Sequence, residues 1–167
     1  MYKVMLVDDD YPVLEFLSES VRWEAYGMAP PTLHMDGEEA LGHAIRDMPD
    51  IVITDIGMPD MDGLTLIERI REMNPNVRAA ILSCHSQFHY AQQAMKLEVQ
   101  DYLLKDALDP TELDALLRRF KSSLDEERLA CRQREQLRRM LDRSREKMKE
   151  AFIRGTIHQP ILHPEAW

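Results

Sequence analysis

Carboxylates, a hydroxyl and a lysine stand directly behind short apolar runs in this chain. Asp8, Asp9 and Asp10 follow "KVMLV", Asp55 follows "DIVIT", Ser83 follows "RAAIL" and Lys105 follows "DYLL". If Asp8, Asp9 and Asp55 meet, three carboxylates repel one another until a cation joins them. An all-oxygen donor set favours a hard ion, and few protein ligands with room for water favour Mg²⁺ over Ca²⁺. Lys105 as a point cation and Ser83 as a hydrogen-bond donor complete the parts that phosphoryl transfer needs, because that chemistry rests on positioning and charge neutralisation. The stretch "TDIGMPDMDG" (54–63) crowds two more acids behind Asp55. Asp62 precedes Gly63 and a helical period, so it reads as a helix cap, while Asp60 shares a turn with Pro59 and meets solvent. A calcium loop does not fit, since no bidentate glutamate closes it at the required spacing.

For these residues to meet, the apolar runs must be neighbouring strands. Strands are expected at 3–7, 50–54, 78–82 and 101–104, with a short one starting near Thr32 because Pro30 and Pro31 cannot donate to a ladder. Segments of helical period separate them: Pro12 to about Ala25, "DGEEALGHAI" with Asp36 as its cap, "GLTLIERIREM", "SQFHYAQQAMKL", and a run from Pro110 onward. Asp10 reads as the cap of the first helix. Five strands alternating with five helices predict a flavodoxin-like (βα)5 doubly wound parallel sheet. In such sheets ligands bind beyond the carboxyl ends of the strands, where all of these polar residues fall.

No proline or glycine interrupts the chain between Pro110 and Phe152, so the last helix is expected to extend into a long C-terminal helix of about 60 Å. A heptad seam runs through Leu113, Phe120, Glu127, Arg134, Leu141 and Met148, beside Leu117, Leu124, Cys131, Arg138, Arg145 and Phe152. Its charged members leave a two-stranded coiled coil and a helix packed on another domain both open. The organisation is then a domain over 1–120, a helical linker and possible coiled coil over 121–153, and a tail, or the start of a missing region, over 154–167.

Composition narrows the function further. The 167 residues are 44% apolar and carry a net charge of −9. Residues 1–120 hold 10 Lys/Arg against 22 Asp/Glu and residues 121–167 hold 11 against 8, so the first part repels bare nucleic acid but suits a divalent cation. No apolar run approaches the roughly 20 residues of a membrane span, and the acidic turn in "MYKVMLVDDD" is unlike a signal peptide. Two cysteines are too few for a disulfide framework. The expected location is the cytoplasm, with no membrane partner.

The motifs "LVDDD" (6–10), "DIVITDIGMPDMDG" (50–63), "AAILSCHSQFHYAQQAM" (79–95) and "DYLLKD" (101–106) resemble the receiver domain of bacterial two-component response regulators, over residues 1 to about 120. The resemblance implies that Asp55 accepts a phosphoryl group from a sensor histidine kinase or a small donor. It further implies that Asp8 and Asp9 hold Mg²⁺ with Asp55 and the backbone carbonyl of Gly57. Ser83 matches the hydroxyl that follows the phosphoryl group, Lys105 the lysine that pairs with it, and Tyr102 the aromatic that turns on activation. Two positions depart from the family pattern: Asp106 stands where proline often follows the lysine, and Glu98 where glycine is common. "SCHSQFHYAQQAM" with "REKMKEAFIRGTI" resembles AraC-type (YesN-like) regulators, which implies transcription control through a DNA-binding domain absent from these residues and a homodimer through the fifth and long helices. Two other readings stand beside this one. The first is a Mg²⁺-dependent phosphohydrolase, which Gly57 disfavours because such enzymes want an aspartate two residues after the nucleophile. The second is a pseudo-receiver acting as a dimer scaffold.

Overall fold

Strands covered on both faces must be apolar throughout, and Val4–Val7 (β1) and Ile51–Asp55 (β3) are buried at every residue. They are the central pair of the sheet in the computed structural model, which describes residues 1–84 and 101–157. Thr32–His34 (β2), Arg78–Ser83 (β4) and Asp101–Leu104 (β5) complete a five-stranded sheet in the order β2-β1-β3-β4-β5. All four pairings are parallel. This is the doubly wound sheet expected from the sequence, with β2 beginning at Thr32 after the two prolines. The helix expected between β4 and β5, "SQFHYAQQAMKL", and Glu98 after it lie outside the described residues.

Because the strand order reverses between β1 and β3, right-handed crossovers send helices to both faces. Gly37–Arg46 (α2) and Gly63–Met73 (α3) bury Ala40, Ala44, Leu66 and Ile70 in one cluster with Met5, Val7 and Val52. A second cluster joins Ile56, Leu64, Ile67, Ala79 and Ile81, with half-buried Tyr102 at its edge. Tyr11–Ser20 (α1) buries Leu14 and Leu17, and the long helix Pro110–Ile157 (α4) buries Leu113, Leu116, Leu117 and Phe120 near its start.

Local structure differs from expectation at three points. α1 stops at Ser20, and a 3₁₀ turn, Trp23–Tyr26, follows. Buried Trp23 explains the stop: its Nε1 donates to the Ser18 carbonyl at 2.8 Å, and the turn closes at Gly27 with φ +69°. Asp10 occupies the cap position of α1, yet its side chain makes no cap bond; its N–H donates instead to Asp8 Oδ1 at 2.9 Å. α4 continues through Gly155 to Ile157, since one glycine costs a helix only about 1 kcal/mol.

The chain divides into two compact units, Met1–Ser122 and Ser123–Trp167. In the second, Leu129, Leu137, Met140, Leu141, Met148 and Phe152 are exposed on α4. Among the described residues no helix is long and apolar enough to cross a membrane.

Candidate functional site

Register brings the polar residues together. Val7 pairs with Thr54, so Asp8 and Asp55 are the next residues along β1 and β3. Asp55 pairs with Leu82, and Ser83 with Leu104, which puts Ser83 and Lys105 one step further along their strands. Lys105 opens a 3₁₀ turn, Lys105–Ala107, and its peptide bond to Asp106 is trans.

From there the Lys105 ammonium reaches across the sheet ends. Its Nζ lies 2.7 Å from Asp8 Oδ2 and 3.2 Å from Asp55 Oδ1. Asp8 and Asp55 are buried and Asp9 is exposed, and one carboxylate oxygen of each lies within 4.8 Å of the others. Backbone amides fix two of these groups: Asp10 N–H donates to Asp8 Oδ1, and Ile56 N–H donates to Asp55 Oδ1, both at 2.9 Å.

The electrostatics follow from burial. Desolvation pushes the Asp8 carboxyl above its ordinary range, against the opposing pull of the Lys105 ammonium. Burial also acts to lower Lys105, but its hydrogen bond to Asp8 and the charge of Asp55 outweigh this and hold it above its ordinary value. Lys105 is therefore firmly cationic, and one cation faces three acids. Asp8 Oδ2 is buried and faces the Lys105 ammonium at 2.7 Å. A buried carboxylate oxygen in an all-oxygen donor set fits a hard divalent cation.

The remaining members lie around this centre. Ser83 is buried at the end of β4, where its Oγ donates to the Cys84 carbonyl at 3.0 Å. Tyr102 pairs with Ile81 in β5, and Gly57 is exposed in the loop behind Asp55. Asp62 caps α3 by accepting from Thr65 N–H at 2.7 Å, and exposed Asp60 takes no part in the cluster.

Residues 4–118 match the model of the response regulator receiver domain. The chain belongs to that family. Over 157 residues the receiver and its helix are 32% identical to the transcriptional regulatory protein YesN of Bacillus subtilis, covering 94% of this chain and 42% of YesN. Similarity to the transcriptional regulatory protein HptR of Staphylococcus aureus is 35% over 127 residues, covering 76% of this chain and 49% of HptR. The chain thus spans less than half the length of these relatives. Among solved structures, the receiver domain of AraT, a response regulator from Geobacillus stearothermophilus, is 38% identical with a TM-score of 0.72, covering 76% of this chain and 98% of that one. A two-component transcriptional regulator AraC from Clostridium phytofermentans is 25% identical with a TM-score of 0.71, covering 77% and 98%.

Two features of this receiver go beyond the sequence, which showed only a solvent-exposed turn at Pro59 and Asp60. A Cβ on Gly63 would lie 2.0 Å from the Asp55 carbonyl oxygen, and Gly63 N–H donates to the Ile56 carbonyl at 3.2 Å. Asp60 has φ +66°, and Met61 N–H donates back to the Pro59 carbonyl at 2.7 Å, forming a γ-turn of the rare positive-φ kind.

Proposed function

We propose that this receiver accepts a phosphoryl group on Asp55 from the phosphohistidine of a sensor histidine kinase. The observation that carries this is Lys105 Nζ paired at once with Asp8 and Asp55 at the mouth of a three-carboxylate cluster. Ile56 N–H and Lys105 both approach Oδ1 of Asp55, which leaves Oδ2 as the attacking atom. An O–P bond forms, the N–P bond of the donor breaks, and the imidazole nitrogen keeps the electron pair. Lys105 then follows the charge from the carboxylate to a phosphoryl oxygen, and Ser83 turns its hydroxyl from the Cys84 carbonyl to another. Asp8, Asp9, Asp55 and the Gly57 carbonyl would hold Mg²⁺, which when bound neutralises phosphoryl oxygens during transfer.

The output reading follows the relatives. The movement of Ser83 opens room for the Tyr102 ring, altering the β4–β5 side of the domain and, through α4, favouring a homodimer. YesN and HptR are transcriptional regulatory proteins, and transcription control here falls to a DNA-binding region of AraC type beyond these residues. In this reading 1–120 is the receiver, 121–153 the linker, 154–167 leads into another region, and the protein works in the cytoplasm.

Incubation with acetyl phosphate and Mg²⁺ tests the acceptor assignment. Intact mass should rise by one phosphoryl group in the parent and stay unchanged in Asp55→Asn. Equal uptake by the two proteins, or none by the parent, overturns it.

A further inference from the structure

The acceptor loop, residues 56–62, is anchored at its far end as well as at Asp55. Its γ-turn holds Asp60 at φ +66°, a conformation that costs an L-residue free energy and persists only where the surroundings over-determine it. The surroundings here belong to α2. A Cβ on Gly37, the first residue of α2, would lie 2.9 Å from Met61 Cβ, 2.9 Å from Met61 O and 3.1 Å from Met61 Cγ. Met58 and Met61, from the same loop, also pack on the cluster that contains Ala40 and Ala44. α2 is itself fixed in place, since Asp36 caps it by accepting from Glu39 N–H at 2.7 Å.

We infer that Gly37 is a positioning residue for phosphoryl acceptance: its bare Cα is the seat on which Met61 and the γ-turn rest. The inference rests on the reading of Asp55 as acceptor. The path from seat to carboxylate is short and covalent. Met61 closes the turn onto Pro59, and the loop leads back to Ile56, whose N–H holds Asp55 Oδ1 and whose carbonyl is held by Gly63. A side chain at 37 must lift the Met61 backbone, because one of its close neighbours is a carbonyl oxygen and cannot rotate away. The turn then opens, and Ile56 N–H and the Gly57 carbonyl shift relative to Asp8 and Asp9. Neither Gly37 nor Met61 touches the phosphoryl group, so the effect appears in geometry and rate rather than in the identity of the product.

The test is Gly37→Ala, first shown to be folded by circular dichroism. Phosphoryl uptake from acetyl phosphate at saturating Mg²⁺ should be about 10- to 100-fold slower than in the parent, the size expected for an ångström-scale misplacement of a reacting group. The backbone amide resonances of Ile56 and Gly57 should move in the metal-free protein while those of β2 and β5 stay. A purely structural glycine would lower the urea midpoint and leave rate and loop resonances alone. Parent-like uptake by folded Gly37→Ala overturns the inference. If that variant does not fold, Met61→Ala takes its place: it removes the Cγ contact and should slow uptake, and a parent-like rate overturns the inference equally. Absence of uptake by the parent would instead overturn the acceptor reading of Asp55, so the two failures are distinct.

Discussion

Lys105 carries the charge balance of the crevice as the cation paired with both Asp8 and Asp55. Asp8 is fully buried and its pKa is raised chiefly by desolvation. A raised carboxyl contributes its full stability below its ordinary value of 3.8 and loses it as pH climbs through the folded value. At neutral pH ionised Asp8 therefore costs stability, and Asp8→Asn should raise the urea midpoint at pH 7. Lys105→Ala should do the reverse, losing about 3 kcal/mol by leaving buried carboxylate unpaired, with the loss shrinking in acid. His34 behaves oppositely in sign. Its ring is buried, with Nδ1 3.3 Å from Glu39 Oε1 and Nε2 without a hydrogen-bond partner, and burial lowers its pKa from 6.5 despite Glu39. Its contribution is complete above 6.5 and falls as pH drops toward the folded value. Urea midpoints between about pH 5 and 8 should fall on the acid side in the parent and be flatter in His34→Leu.

At the level of elements, the strand ends were legible because a parallel sheet turns a one-dimensional pattern into a register. Once "VMLV" and "IVIT" are neighbours, Asp8 and Asp55 must be. The capping aspartates at 36 and 62 were legible for a similar reason, as each precedes a helical period and bonds within its own first turn. What could not be read was close approach between segments distant in sequence. Nothing local says that Gly63 lies against the Asp55 carbonyl, or that Gly37 lies under Met61. The stop of α1 was hidden too, because it depends on Trp23 turning inward to reach Ser18. Asp10 looked like a cap, but its N–H is taken by Asp8 and its side chain is left out of the helix. The Gly63 contact leads to a definite outcome. Gly63→Ala meets backbone at 2.0 Å, so it should lose about 1–3 kcal/mol by forced displacement and slow phosphoryl uptake. Thermal melts and uptake rates on the same sample check both.

For the molecule as a whole, the two units differ in what they bury. The first closes a core on both faces of its sheet, while the second displays Leu137, Leu141, Met148 and Phe152 on α4. The long helix was plain from the lack of proline and glycine. The heptad drawn along it was only partly informative, because Leu113, Leu117 and Phe120 serve the receiver core and the same period continues past it. If α4 mediates the proposed homodimer, Leu141→Glu with Met148→Glu should hold the protein monomeric in sedimentation with beryllofluoride, while phosphoryl uptake stays at the parent rate. A dimer of parent strength in that double variant would move the interface elsewhere.

Asp55, among three clustered aspartates, is the one proposed to form the acyl phosphate. An acyl phosphate is reduced by borohydride to an alcohol, converting the aspartate that bore it into homoserine. After treatment with acetyl phosphate, Mg²⁺ and borohydride, peptide mass mapping should find homoserine at position 55 and aspartate retained at 8 and 9. Homoserine at Asp8 or Asp9, or at none of the three, would contradict the assignment of Asp55 as acceptor.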